Sequence, residues 1–245
     1  MTGLRAILFD VDGTLAETEE GHRRAWNAAF ADHGHDWQWD FHAYRELLKV
    51  AGGRERLRHF TNGMLDDRAI AAIHRTKNDH YRRALDNGEV ALRPGVRALI
   101  DAARERGIML GIATTTSRTN VEALLDSTLG PQARDWFATI ACAEDAAEKK
   151  PDPAVYVVAL RQLGLSGPDA VAIEDSRNGV LAAKAAGLEV VLTPSLYMAG
   201  EDTAGADVSL AGLDELDLDS FLARFTAPSP RAEARTTGDG FPARR

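Results

Sequence analysis

The stretch Ile7-Leu8-Phe9-Asp10-Val11-Asp12-Gly13-Thr14 decides how the rest of the chain is read. The apolar run from Ala6 to Phe9 has the character of a buried strand. It ends abruptly in two carboxylates, Asp10 and Asp12, followed by a glycine and a hydroxyl. Open α/β sheets bind ligands at the carboxyl ends of their strands, so these acids stand where a site is expected. Side by side they repel unless a cation or a shared proton holds them. A hard divalent cation, Mg²⁺ first, suits such oxygen ligands. Asp12-Gly13-Thr14 alone also suits an ordinary polar turn, so the reading depends on what later segments bring.

Three segments supply partners. The apolar run Ile108 to Thr114 ends in the hydroxyls of Thr114, Thr115 and Thr116. Glu148-Lys149-Lys150-Pro151 places cations before a proline-initiated helix. The apolar run Ala170 to Ile173 ends in Glu174-Asp175-Ser176. Acids, hydroxyls, a lysine and further acids, most of them at strand ends, make a combined phosphate and metal site.

Between the first strand and residue 90 only helical signals occur. His22, Trp26, Ala29 and His33 recur at helical spacing. Asp40 suits the cap of a helix carrying Tyr44, Leu47 and Leu48 that stops at Gly52-Gly53. A short helix from Arg54 toward Phe60 ends at Asn62-Gly63, and Asp66 or Asp67 caps a longer one with Ile70, Ile73, His74, Lys77 and Tyr81 on one stripe. From Leu92 onward strands and helices alternate, with strands at Ile108 to Thr114, Ala138 to Cys142, Ala170 to Ile173 and Glu189 to Thr193. Such alternation predicts a parallel sheet covered by helices on both faces. The expected division is an α/β core over 1–15 and 91–225, an all-helical insertion over 16–90, and a disordered tail over 226–245.

Composition narrows the function further. At 245 residues the chain has room for one large or two small domains. A net charge of −8 argues against a nucleic-acid surface, though a local cluster of cations can still bind an anionic substrate. No apolar run is long enough to cross a membrane, and the first strand begins too early for a signal peptide. Cys142 is the only cysteine, which excludes an internal disulfide and suits a reducing cytoplasm. A cytoplasmic monomer acting on a small molecule is the expectation.

The four segments, in this order and context, resemble the haloacid dehalogenase superfamily of phosphotransferases through Asp10-Val11-Asp12-Gly13-Thr14, Thr114, Lys150 and Glu174-Asp175. The resemblance implies a Rossmann-like parallel sheet in the order 5-4-1-2-3 with an inserted helical cap, and phosphate-monoester chemistry. It casts Asp10 as nucleophile forming an aspartyl-phosphate. Asp12 is then the general acid and base, and Thr114 and Lys150 hold the phosphate oxygens. The implied Mg²⁺ ligands are Asp10, the main-chain carbonyl of Asp12, and Asp175, with Glu174 acting through water or by orienting Asp175. The superfamily lysine directly precedes a proline, which selects Lys150 and leaves Lys149 a solvated surface charge. Haloalkanoic-acid dehalogenases typically lack the second aspartate, so Asp12 favours a phosphotransferase.

Substrate contacts are expected from the insertion and from the segment after Thr114. Glu17, Thr18 and His22 fall where related sugar-phosphate mutases and phosphatases place hinge and substrate-contact groups, and His22 equally suits a helix residue facing the interior of the insertion. Gly52-Gly53-Arg54 puts a cation after two glycines at a helix start, a good anion seat. Tyr44, with Trp37 and Trp39, suits either packing inside the insertion or a platform for the substrate. Thr115, Thr116, Ser117 and Asn120 complete the candidates. The whole pattern is similar to Rubisco-operon phosphatases of the CbbY type, which implies removal of the C1 phosphate of xylulose 1,5-bisphosphate. Those proteins carry Lys after the double glycine, and this chain has Arg54. A sugar-phosphate mutase of the β-phosphoglucomutase type is the alternative, and a non-catalytic binding protein on the same fold is a third.

Overall fold

A computed structural model describes residues 3–200, 202, 205–216, 219–221 and 223. The expectation for residues 226–245 falls outside the described residues. Strand β1 (Ala6–Phe9) is buried along its whole length. It lies at the centre of a parallel sheet with β2 (Met109–Ala113), β3 (Phe137–Ala141), β4 (Ala170–Glu174), β5 (Glu189–Leu192) and β6 (Val208–Ser209). The order is β3-β2-β1-β4-β5-β6. The expected 5-4-1-2-3 arrangement is present, read from the opposite edge, and β6 extends it. β6 pairs through Val191 with Val208 and Leu192 with Ser209. Two residues carry no period to read in a sequence, so pairing with β5 alone defines this edge strand.

Side chains of β1 alternate between two apolar layers, as the pleat requires. Ile7 and Phe9 pack with α5 (Val96–Glu105) and α6 (Arg118–Leu129). Ala6 and Leu8 pack with α7 (Ala154–Leu163) and α8 (Arg177–Ala185). Each strand therefore delivers its last residues to one rim of the sheet, where Asp10, Thr114 and Asp175 follow β1, β2 and β4.

Four helices separate β1 from α5. They are α1 (Glu19–Asp32), α2 (Phe41–Leu47), α3 (Gly53–Thr61) and α4 (Asp67–Asp86). Asp40 and Asp66 cap α2 and α4 by accepting from the amides of Ala43 and Ala69. A third apolar cluster, built on Trp26, Phe30, Trp39, Tyr44, Leu57, Ile70 and Ile73, holds the four together. The two connecting strands run side by side: Ala16 bridges Leu92, and the Arg93 amide donates to the Leu15 carbonyl at 2.9 Å. One expectation is corrected here. The glycine pair begins α3 instead of ending α2, which stops at Leu47. Gly52 has φ +93°, and a Cβ there would lie 2.1 Å from Lys149 Nζ and 2.3 Å from Glu55 Oε2, so the chain must reverse without a side chain.

Candidate active site

The rim of the sheet gathers the acids and the lysine. Lys150 Nζ donates to Asp10 Oδ1 at 2.6 Å and to Glu174 Oε1 at 2.7 Å. Tyr156 Oη donates to the same Glu174 oxygen at 2.5 Å. Asp10, Glu174 and Asp175 are all buried and each brings a carboxylate oxygen within 4.8 Å of the others. Burial pushes the Asp10 carboxyl up to about 7, with Lys150 opposing and Glu174 adding to the rise. Asp175 is raised for the same reasons, burial first, then the charges of Asp10 and Glu174. Burial alone would lower the Lys150 ammonium, but the two carboxylates beside it more than offset that and raise it. Three acids gather around one ammonium, and the remaining donor atoms are oxygens. That donor set fits a hard divalent cation. Gly13 lets the cluster close, because at φ +78° a Cβ would fall 2.1 Å from Asp175 Oδ2.

Asp12 makes its hydrogen bonds outside this cluster. Its carboxylate accepts from Thr18 Oγ1 at 2.5 Å, from Thr116 Oγ1, and from His22 Nε2 at 3.2 Å. Lys77 Nζ lies 2.9 Å from His22 Nδ1. An ammonium has only protons to give, so Nδ1 accepts and the Nε2 proton points at Asp12. Burial would raise Asp12, but the donors, His22 first, hold its carboxyl below the usual carboxylate range. The ionised form, able to take a proton from water, is the one this arrangement favours. His22 is itself lowered, by burial and then by Lys77. Burial also brings Lys77 down to about 8. Sequence reading missed Lys77, because its link to His22 depends on how α4 packs on α1.

A cavity of about 700 Å³ opens between the rim and the helices. Asp10, Asp12, Thr114, Thr115, Thr116, Ser117, Asn120, Lys150 and Asp175 line it from the core side, His22 from α1, and Gly52, Gly53 and Arg54 from the start of α3. Three candidates lie elsewhere. Glu174 stands behind Lys150, held by Lys150 and Tyr156. Glu17 is exposed and turns to Arg93, 3.2 Å away, whose guanidinium also donates to the carbonyls of Gly13, Thr193 and Pro194. Tyr44 is not a wall of the cavity; it is fully buried among Trp39, Tyr197 and Arg56 in the core of the insertion. Lys149, expected to be a solvated charge, pairs with Glu55 of α3 at 2.7 Å and so ties the insertion to the core. Glu20 accepts from Tyr197 Oη at 2.6 Å and adds a second tie.

A family model described as haloacid dehalogenase-like hydrolase matches residues 4–187, and the chain belongs to that family. Protein CbbY of Cereibacter sphaeroides is 50% identical over 224 residues, 88% of this chain and 97% of that protein. Protein CbbY of Rhodobacter capsulatus is 48% identical over 207 residues, 83% of this chain and 91% of that protein. A crystal structure of CbbY from Rhodobacter sphaeroides in complex with xylulose-(1,5)bisphosphate superposes with a TM-score of 0.83 at 49% identity, covering 87% of this chain and 96% of that one. More distant relatives are named phosphoglycolate phosphatase. The protein is an enzyme, a phosphatase within this hydrolase family.

Proposed function

We propose that this member of the family is a Mg²⁺-dependent sugar-bisphosphate phosphatase that converts xylulose 1,5-bisphosphate to xylulose 5-phosphate through an aspartyl-phosphate on Asp10. The observation that carries this reading is one cavity whose lining brings together two groups suited to anions, Asp10, Thr114 and Lys150 of the core and the start of α3 with Gly52, Gly53 and Arg54. A monophosphate needs only the first; a bisphosphate accounts for both. The named sugar comes from the likeness to CbbY, whose crystal structure holds that compound.

In this reading Asp10 Oδ attacks phosphorus, and the alcohol of the sugar leaves. Lys150 favours the ionised, attacking form of Asp10 against the effect of burial, and in this reading it meets the phosphate oxygens from the same position. Thr114, buried at the end of β2, lends its hydroxyl to the oxygen cradle. In the first step Asp12 must carry a proton, which it gives to the leaving alkoxide; the carboxylate so formed takes a proton from the water that attacks the aspartyl-phosphate, and this returns Asp12 to its protonated form for the next turnover. Thr18, Thr116 and His22 aim it and favour the carboxylate needed for the second step. Asp10, Asp175 and the main-chain carbonyl of Asp12 would hold the Mg²⁺, with Glu174 orienting through Lys150 and Tyr156. When bound, the ion neutralises charge that would otherwise oppose attack of a carboxylate on a phosphate dianion. The helical insertion acts as a cap hinged at 15–20 and 87–94, and its closure excludes water from the first step.

The test is phosphate release and product identification with xylulose 1,5-bisphosphate, glucose 1-phosphate and phosphoglycolate. The reading predicts release of one phosphate per bisphosphate, leaving the 5-phosphate, with the bisphosphate preferred in kcat/KM. Isomerised sugar phosphate without free phosphate would assign the enzyme to the mutases. Preference for phosphoglycolate would remove the sugar from the account.

A further inference from the structure

The segment that follows β5 leaves the sheet and enters the helical insertion. Its root is fixed, because the Arg93 guanidinium donates to the carbonyls of Thr193 and Pro194 at 2.6 and 3.0 Å. Arg93 stands on the second connecting strand, so this root lies beside the hinge. Further along, Tyr197 is 1% exposed and joins an apolar cluster whose other buried members, from Trp26 to Ile73, all belong to the insertion. Its ring centre lies 4.4 Å from that of Phe41 and 5.7 Å, edge on, from that of Tyr44. Tyr197 Oη donates to Glu20 Oε2 at 2.6 Å, and Arg45 of α2 donates to the Ala199 carbonyl. Met198 packs against the same cluster and lines the cavity. Core and insertion are thus joined by two strands of main chain and by a plug of side chain.

The ties across this joint are unequal. Lys149 and Glu55 are partly exposed, and an ion pair open to water holds little. The Tyr197 ring is enclosed, and an aromatic side chain buries about 150–250 Å². Swinging the insertion away from the rim must either return that surface to water or drag residues 194–200 from their Arg93 clamp. Both oppose opening. We propose that Tyr197 is a positioning residue of the reaction: it fastens 194–200 into the insertion and so holds the insertion docked over the rim of the sheet, with Met198 closing one side of the cavity. This rests on the hinged cap of the preceding section and names what keeps it shut.

The experiment is hydrogen exchange by mass spectrometry on full-length wild type, Tyr197→Phe and Tyr197→Ala, with no substrate present. Kinetics on xylulose 1,5-bisphosphate and on an aryl phosphate too small to need the insertion accompany it. Tyr197→Ala should speed exchange at the connecting strands, 15–20 and 87–94, about tenfold to a hundredfold, the worth of the lost aromatic contacts and of a hydrogen bond to a charged group. The amides of α1 and α4 should keep their protection, since the rest of the apolar cluster is intact. kcat/KM on the bisphosphate should fall by a similar factor, and on the aryl phosphate it should not fall. Tyr197→Phe keeps the ring and loses only the bond to Glu20, so it should recover most of both effects. Unchanged exchange at the connecting strands in Tyr197→Ala would overturn the proposal. So would equal losses on both substrates with faster exchange throughout α1 and α4, which would reduce Tyr197 to a packing residue of the insertion. If wild type did not cleave the bisphosphate, the substrate of the preceding section would fall, and exchange at the connecting strands would still decide Tyr197.

Discussion

Lys77→Met should make the protein more stable and the enzyme slower. Lys77 is 6% exposed, and burial lowers it from 10.5 to about 8. That difference of 2.5 corresponds to about 3 kcal/mol against the charged form at neutral pH. Methionine fills a similar space without charge. It forfeits the hydrogen bond to His22 and the contacts of the ammonium with the Trp26 and Tyr81 rings at 5.7 and 5.2 Å, together about 1–2 kcal/mol. The balance is about 1–2 kcal/mol of added stability, or about 2–8 °C in Tm for a chain of this size. The pH dependence has a definite sign. Below pH 8 both folded and unfolded chains hold the proton and the fold carries the full penalty. Between about 8 and 10.5 the unfolded chain binds more protons, so wild type gains stability as pH rises while Lys77→Met does not. The gap in Tm should therefore be widest at pH 7 and narrow by pH 9.5. Turnover should fall at least about tenfold, because His22 loses the donor that directs its proton to Asp12. Thermal melts at the two pH values and steady-state kinetics measure both effects. A variant no more stable than wild type at pH 7, with a gap that ignores pH, would refute the reasoning.

Asp10→Asn should abolish turnover while the fold persists, since an amide of nearly the same shape is a very poor nucleophile; residual activity above a few per cent, with deamidation excluded by mass spectrometry, would remove Asp10 from that role. Arg54→Ala should lower kcat/KM on a bisphosphate about tenfold to a hundredfold and on an aryl phosphate much less, because only the former reaches the start of α3. Arg54→Lys should recover part of the loss, since charge returns without the fork of the guanidinium. Equal losses on both substrates would place Arg54 in the support of α3.

The core was legible because its signals are local. Apolar runs that end in Asp10, Thr114 and Glu174 mark strand ends, and Asp40 and Asp66 before helical stripes mark caps. β6 was not, since its two residues become a strand only by pairing with β5. The environment of Asp12 was half legible. Thr18 and His22 lie nearby in sequence, but Lys77 and Thr116 reach the same point through helix packing and a parallel strand pairing. Tyr44 carries an aromatic ring and a hydroxyl, which suit a binding platform as well as packing inside the insertion; only the packing of α2 against Trp39 and Tyr197 places it in the core. Lys149 and Lys150 are adjacent and alike in chemistry, and they part because one turns to Asp10 and the other to Glu55. Arg93 gave no signal, as its guanidinium is recruited by carbonyls distant in sequence.

The central claim is that the buried acids of Asp10, Glu174 and Asp175 work with a divalent cation to cleave a sugar bisphosphate. Phosphate release from xylulose 1,5-bisphosphate, measured on enzyme stripped with EDTA and then titrated with Mg²⁺, tests it most directly. The account predicts no release from the stripped enzyme, full recovery with Mg²⁺, and little activity with Ca²⁺, whose looser coordination misplaces nucleophile and phosphate. Undiminished release in excess EDTA would contradict it.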